Sequence, residues 1–252
     1  MDGYIDAHVH LPDIAPHDGW SALAAAKAAG VRRLVVCGTR PCDWALVRSL
    51  AADEAVIPCF GLHPWFTTEP GDWLAELRDY LTATPSAVGE IGLDRAARGL
   101  DAEQQEAAFV AQLRLARELE RPAMIHCVRA WGRLVELLEA HGPPRFLLHA
   151  YAGAPDLVPR LARLGAWFSF AGSILNPWRE KAWAACRAVP AERLLVETDA
   201  PALPSPGHDE SRPEHLPEVV AGIAGLLGED PDQLRARLWD NAHGLLGGLL
   251  TR

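Results

Sequence analysis

The feature that most constrains the fold is an alternation of short apolar segments with longer helical patterns along the whole chain. Many of the short segments lack polar alternation, which is typical of parallel strands buried on both faces. Helix-like stretches such as Asp101–Glu120 and Ala130–Ala140 follow them. Eight such β–α units predict a TIM (β/α)8 barrel of the α/β class. The predicted strands are Tyr4–Val9, Arg33–Cys37, Val56–Gly61, Ala87–Ile91, Ala123–Cys127, Phe146–His149, Ala166–Phe170 and Leu194–Glu197.

The length of 252 residues suits one barrel, so we expect residues 1–252 to form a single domain. A doubly wound open sheet is the alternative, but no GxGxxG phosphate loop follows the first strand. The loop Ala200–Pro217 is rich in proline, glycine and histidine and follows the last predicted strand, where barrel enzymes build active-site loops. The stretch Pro231–Leu250 is predicted to be a closing helix.

Composition excludes several classes of protein. Apolar residues make up 49% of the chain, as in a globular protein, but no apolar run approaches the roughly 20 residues of a membrane span. The N-terminal MDGYIDAHVH does not have the pattern of a signal peptide, so a cytoplasmic location is expected. The five cysteines form no CxxC pair, which argues against a disulfide framework or a zinc ribbon. No obligate protein partner is evident.

The net charge of −9 excludes a general basic surface for nucleic acid. If the chain acts on nucleic acid, metals and a few local arginines must supply the attraction.

The strongest local signal is the pair of histidines in Asp6-Ala-His8-Val-His10. Alternate residues of a strand point to the same face, so His8 and His10 can share one cation at the end of the first strand. Asp6 would lie deeper on that face and support the site rather than bind metal.

Further ligand types stand at or near the ends of other predicted strands. Glu90 is near the end of the fourth strand, His126 and His149 end the fifth and sixth, and Asp199 follows the eighth. The C-terminal ends of barrel strands meet at the face that carries active sites. One cation needs three or four ligands, so this set of six predicts two divalent cations, which we expect to be zinc, manganese or magnesium.

A carboxylate commonly bridges two such metals, and some barrel hydrolases use a carbamylated lysine instead. The chain has two lysines, Lys27 and Lys181, and both fall in predicted helices rather than at strand ends. Glu90 is therefore the predicted bridge.

Several motifs in this order resemble the TatD family of metal-dependent hydrolases, which comprises TatD-type deoxyribonucleases of the amidohydrolase-like superfamily. The markers are IDAHVHL at 5–11, GLHP at 61–64, GEIGLD at 89–94, a helix pattern at 105–116, IHCVRA at 125–130, FSFAGSI at 168–174, LLVETDAP at 194–201 and NAHGLLG at 241–247. The resemblance implies one metal held by His8, His10, Glu90 and Asp199. It implies a second held by Glu90, His126 and His149.

Three departures from the family pattern affect positions that could touch substrate. After His149 the chain reads Ala-Tyr-Ala-Gly, where the family usually has Cys-Phe-Ser/Thr-Gly. Ser211-Arg212-Pro213-Glu214 replaces an Arg-Asn-Glu-Pro run, and Arg95 stands where an aromatic residue is common. These changes leave the metal ligands intact and bear on the substrate.

The family resemblance implies a phosphodiesterase that acts on DNA or a small phosphodiester. The cations would activate a water molecule, with Glu90 between them and Asp199 as the proton acceptor. His63, in Gly-Leu-His-Pro, is predicted to contact substrate or stabilise the transition state, and Arg129 to hold a phosphate. Trp65, Trp131 and Trp178 lie in or just after strand-end loops and could stack on bases or simply pack.

Two alternatives stay open at this point. The same metals could hydrolyse a C–N or carboxylic ester bond of a small molecule, as other amidohydrolase-type barrels do. A non-catalytic binding barrel would predict missing ligands, and none of the six is missing.

Overall fold

A computed structural model describes residues 3–14, 19–68 and 70–251 of the protein. Its strands form one parallel sheet in which neighbours in the chain are neighbours in space, from β1 to β8. The strands are β1 Tyr4–Val9, β2 Val31–Cys37, β3 Val56–Phe60, β4 Ala87–Asp94, β5 Ala123–Val128, β6 Phe146–Leu148, β7 Ala166–Phe170 and β8 Leu194–Val196.

The sheet closes on itself where the ends of β8 and β1 meet. The backbone N–H of Asp199 donates to the oxygen of His8 at 3.0 Å, and that of His10 donates to the oxygen of Ala200 at 2.9 Å. These two bonds leave no free edge at the upper rim of the sheet. The predicted barrel is therefore confirmed.

Helices follow the strands and cover the outside of the barrel. Local signals define their ends: the Asp101 carboxylate accepts from the N–H groups at the start of α4, and Gly228, at a φ of 73°, ends α8. The α-helices are α1 Gly19–Ala28, α2 Pro41–Leu50, α3 Trp73–Ala83, α4 Ala102–Glu118, α5 Trp131–His141, α6 Val158–Arg163, α7 Glu180–Ala188, α8 Leu216–Leu227 and α9 Pro231–Leu246.

Two apolar clusters divide the core. Along β2, Leu34 and Val36 belong to the cluster that lies under the helices, whereas Val35 and Cys37 belong to a second, inner cluster. The inner cluster continues into α9, whose Asn241 donates to the backbone oxygen of Leu194 at the start of β8 and to that of Ala191 in the turn before it. Helix α9 thus covers the N-terminal end of the barrel, and the C-terminal end is left for the site.

The strand bounds differ from the predictions in informative places. β4 continues to Asp94, because Leu93 and Asp94 pair with β5 as far as Val128. The final helix ends at Leu246 rather than Leu250, and a short 3-10 turn at Gly247–Leu249 follows it.

No helix within the described ranges is long and apolar enough to span a bilayer.

Candidate metal centre and active-site cleft

The six predicted ligands converge at the C-terminal face of the barrel, around the carboxylate of Glu90. His8, Glu90 and His126 lie within β1, β4 and β5, while His10, His149 and Asp199 follow β1, β6 and β8 directly or within three residues. His8 is fully buried and Glu90 is 2% exposed, so these ligand types are held away from bulk water.

One oxygen of Glu90 belongs to what we call the first cluster, formed with His8, His10 and Asp199. Glu90 Oε2 lies 3.4 Å from His8 Nε2 and 3.1 Å from His10 Nε2. The two Nε2 atoms are 3.0 Å apart. Asp199 Oδ1 lies 3.8 Å from His8 Nε2 and 3.5 Å from His10 Nε2. The donor atoms of His8, His10 and Asp199 lie within 4.8 Å of one another, and Glu90 Oε2 lies beside both imidazoles.

The other oxygen of Glu90 belongs to the second cluster, formed with His126 and His149. Glu90 Oε1 lies 3.0 Å from His126 Nδ1 and 2.8 Å from His149 Nε2. The two ring nitrogens are 3.2 Å apart. Glu90 thus presents one oxygen to each cluster, which is the arrangement of a bridging carboxylate.

The donor chemistry fits divalent cations. Ligands in a tetrahedral shell with metal–nitrogen distances of about 2.0–2.1 Å lie roughly 3.3 Å from one another, close to the separations in both clusters. Imidazole and carboxylate groups suit zinc and manganese. Neither lysine competes for the bridging position, since Lys27 pairs with Asp53 at 2.6 Å and Lys181 is exposed on α7.

Hydrogen bonds set which ring nitrogens can bind a cation. His10 Nδ1 lies 3.1 Å from the backbone oxygen of Cys37 and donates to it, so Nε2 keeps its lone pair. His63 has the opposite tautomer, because the N–H of Trp65 donates to its Nδ1 at 3.2 Å. His63 Nε2 then carries the proton and points at Glu90 Oε1 from 3.3 Å. His63 is therefore a donor beside the second cluster.

Charges in the centre are strongly coupled. Burial alone would raise the pKa of Glu90, but His63 and His149 hold that pKa well below its usual range. Burial would lower the pKa of His10, yet Asp199 and Glu90 raise it well above the ordinary value. The carboxylates thus carry an excess of negative charge that protons or cations must neutralise.

Further carboxylates lie behind the second cluster. Asp94 Oδ2 is 3.4 Å from His126 Nε2 and also accepts from Trp65 Nε1 at 2.6 Å. Glu197 Oε1 is 3.6 Å from His149 Nδ1. Glu197 is held by the N–H of Ala150 at 2.7 Å and by the Ser169 hydroxyl. Such outer carboxylates orient histidine ligands. Neither Asp94 nor Glu197 is assigned a role by the sequence pattern.

Asp6 braces the ends of β1 and β8 instead of joining either cluster. Its carboxylate accepts from the Thr198 hydroxyl at 2.5 Å and from the Thr198 N–H at 2.9 Å. A register shift between Asp6 and Val9 breaks the strict alternation expected for β1. Asp6 supports the strand end that carries His8, in keeping with a supporting role.

Close backbone packing explains a glycine of the GEIGLD motif. A Cβ at Gly92 would lie 2.0 Å from the backbone oxygen of His126, so β4 and β5 can approach here only without a side chain.

The clusters open into a cleft with two connected parts. One part contains Glu90 and His63 and is also lined by Arg40, whose guanidinium stacks on Phe66 at 4.4 Å. The other part lies beside it, and both parts are lined by Trp65, His126, His149, Asp199 and Ala202. The sequence pattern did not single out Arg40 or Phe66, because neither belongs to a strand-end motif.

The remaining predicted residues occupy different places. Arg129 is exposed and lines neither part of the cleft, so its contact with a phosphate stays a prediction. Trp65 is 51% exposed in the cleft, and Trp178 is 76% exposed next to Arg179, which does line the cleft. Trp131 packs edge-on against Tyr151.

Comparison with known proteins identifies the family to which the chain belongs. The family model described as TatD related DNase matches residues 5–247. A metal-dependent hydrolase of Escherichia coli K12, YjjV, is 31% identical, with 96% of this chain and 97% of the relative covered. Its crystal structure superposes with a TM-score of 0.90 over the same shares of the two chains. A 3'-5' ssDNA/RNA exonuclease TatD of Klebsiella pneumoniae is 33% identical, with 92% of both chains covered. The chain therefore belongs to the TatD-related DNase family of metal-dependent hydrolases.

Proposed function

We propose that the protein is a phosphodiesterase that hydrolyses single-stranded nucleic acid, DNA above all, with two divalent cations of zinc, manganese or magnesium. One observation carries the proposal: Glu90 presents Oε2 to one group of nitrogen and oxygen donors and Oε1 to another. A single carboxylate that serves two donor clusters is the expected design of a two-metal hydrolase site.

In this proposal His8, His10, Glu90 and Asp199 would hold one cation, and Glu90, His126 and His149 would hold the other. When bound, such cations lower the pKa of water toward neutrality and offset the negative charge of a phosphodiester. The protein supplies a buried, rigid set of ligands, since hydrogen bonds from the second layer of residues fix the rings.

The side chains that face the cleft have separate tasks. Asp199 lines both parts of the cleft and accepts the proton of the attacking water. The Nε2–H of His63, beside Glu90 Oε1, donates a hydrogen bond to a phosphate oxygen and stabilises its charge in the transition state. Arg40 lines the same part of the cleft and can contact a phosphate.

Nucleic acid is the proposed substrate for two reasons. The related enzyme of Klebsiella pneumoniae is named as a 3'-5' ssDNA/RNA exonuclease. The half-exposed indole of Trp65 stands beside the clusters and can stack on a base. The proposed compartment is the cytoplasm, which suits five cysteines that are all unpaired.

Metal analysis together with a substrate panel tests the proposal. Purified protein should contain up to two divalent cations per chain and release nucleotides from single-stranded DNA, and a chelator should abolish both. The panel also includes aryl esters and N-acyl compounds. Metal-dependent cleavage of those compounds without cleavage of DNA would replace the proposal with the amidohydrolase-type alternative, and a chain that binds no divalent metal would overturn both.

A further inference from the structure

A pocket open to solvent adjoins the proposed metal centre on the side of β5, β6 and β7. We call it the side pocket and define it by the lining residues Tyr151, Phe170, Ser173, Ile174, Arg179 and Ala182. It shares His126, His149 and Asp199 with the part of the cleft that contains Glu90. Its volume is about 290 Å³, at the small end of the range for ligand pockets. It can therefore take one small group attached to whatever lies at the metals.

The walls of this pocket are apolar and held in place. The Tyr151 hydroxyl donates to the backbone oxygen of Ala154 at 2.9 Å, and its ring packs edge-on against Phe168. Trp183 of α7 donates to the backbone oxygen of Ile174 at 2.6 Å. Because these bonds tie the wall segments to their neighbours, the pocket is formed before anything binds.

Few side chains in the pocket can recognise a ligand through specific hydrogen bonds. Ala150 and Ala152 line it at the positions where the family usually has a thiol and a hydroxyl. Apart from the residues around the metal centre, the side chains with polar atoms that line it are Cys127, Tyr151, Ser173 and Arg179. The Tyr151 hydroxyl already donates to Ala154. A pocket with such walls favours a ligand group by its shape and by the flat apolar surface that the group buries.

Two features at the mouth point to a nucleotide. Arg179 lines the pocket and is exposed to solvent. A guanidinium beside an apolar pocket suits a phosphate joined to a base. Trp65 also lines the pocket, and its indole is fixed by the 2.6 Å bond to Asp94. A half-exposed tryptophan held in one orientation is a platform for stacking.

We propose that the side pocket binds the nucleobase of one of the two nucleotides that flank the scissile phosphate, and that Arg179 contacts the backbone phosphate beside it. The proposal rests on the proposed phosphodiesterase function. It further states that the base is recognised by its planar shape, so adenine, cytosine, guanine and thymine are accepted alike.

Oligonucleotides that lack a single base test the first half of the proposal. The substrates are ten-nucleotide single strands with all bases present, or with an abasic residue at the last or the next-to-last position. In the metal-loaded wild-type protein, kcat/KM should fall roughly tenfold or more for one of the two abasic strands. Strands that end in each of the four bases should agree within about threefold, because the walls offer few hydrogen bonds. Equal rates on all abasic and intact strands would overturn the proposal.

A substitution that fills the pocket provides a second test, with a control substitution on the same helix. Ala182 lines the pocket from α7, whereas Ala184 lies on the same helix and is exposed outside it. Ala182→Trp should lower kcat/KM on the intact strand to its value on the sensitive abasic strand, and Ala184→Trp should keep the wild-type ratio. An Ala182→Trp protein that still distinguishes intact from abasic strands places the base elsewhere and refutes the proposal.

Arg179→Ala separates the phosphate contact from the base contact. It should lower kcat/KM roughly tenfold on intact and abasic strands alike, since both keep their phosphates. Arg117→Ala, at an exposed position of α4, is the control and should change neither rate. An unchanged rate in Arg179→Ala removes this residue from the proposal.

Failure of this inference differs from failure of the proposed function. A wild-type protein that cleaves no intact strand contradicts the phosphodiesterase assignment itself. A protein that cleaves intact and abasic strands equally remains a phosphodiesterase without a base subsite.

Discussion

The first and second clusters share Glu90 but differ in what completes them. In the first cluster, the two histidines contact both Glu90 Oε2 and Asp199 Oδ1, which gives four candidate ligands. In the second cluster, two histidines lie beside Glu90 Oε1. The nearby His63 directs its Nε2–H toward the same oxygen, so it has no lone pair there for a cation. The His8 side chain is fully buried, whereas that of His126 is 13% exposed.

This difference predicts different roles for the two clusters. A site with four protein ligands holds its cation tightly, while a site with three ligands keeps a position open for water or substrate. We therefore expect the first cluster to bind the tighter cation and the second to exchange its cation more readily. The ligands that distinguish the clusters can be removed one at a time to test this division.

The largest effect is expected for Glu90→Gln, because Glu90 is the ligand that both clusters share. Both cations should bind poorly, and DNA hydrolysis should fall roughly a thousandfold or more. Elemental analysis after dialysis and a nucleotide-release assay measure the two effects. Glu118→Gln, on the exposed face of α4, is the matched control and should keep both properties. A Glu90→Gln protein with two cations would contradict the bridge.

Asp199→Asn should change the first cluster and the proton transfer while sparing the second cluster. Turnover should fall about 10²–10⁴-fold, as when a general base is lost, and the unfolding temperature should change little. The variant should keep the cation of the second cluster, because Asp199 is not one of that cluster's donors. Near wild-type turnover in the metal-loaded variant would remove Asp199 from the chemistry.

His126→Ala should affect the second cluster alone. One cation per chain should remain after dialysis, and activity should fall about a hundredfold and recover in part at high metal concentration. His141→Ala, at the end of α5, provides a control with the same change of residue type. Loss of both cations from His126→Ala would show that the clusters bind as one unit.

The sequence predicted the six ligands because each stands at or near a strand end, and the barrel brings those ends to one face. It predicted that His63 faces the same rim, and the structure places its Nε2 next to Glu90. The proposed division between the two cations came from the family resemblance, and the distances around Glu90 support it.

The sequence could not predict contacts that depend on how distant strands are aligned. The bond from Trp65 to Asp94 spans 29 residues, and the one from Ala150 to Glu197 spans 47. Nothing in either local pattern indicates the partner. Arg129 stands three residues after His126, and its contact with a phosphate stays a prediction. With a φ of 53°, the chain turns there, and the side chain is exposed outside the cleft.

The smallest effect is expected for Glu197→Gln. This variant keeps all the proposed metal ligands and changes only the carboxylate that orients the His149 ring. Glu197 lies 3.6 Å from His149 Nδ1 and is held by Ala150 and Ser169. Loss of its charge should weaken binding of the second-cluster cation about 10–100-fold, because outer carboxylates orient and activate histidine ligands.

Titration of metal-free Glu197→Gln protein against a competing chelator, with Glu192→Gln as the surface control, resolves the two binding steps. The affinity of the tighter step should match that of the wild-type protein. The Glu197 carboxylate contacts His149, Ala150 and Ser169, and these residues lie outside the first cluster. If both steps weaken equally, His149 influences the first cluster, through the shared Glu90 or through His8, whose ring stacks on that of His149 at 3.9 Å. The clusters are then one coupled centre, and the contrast between a tight and an exchangeable site has to be given up.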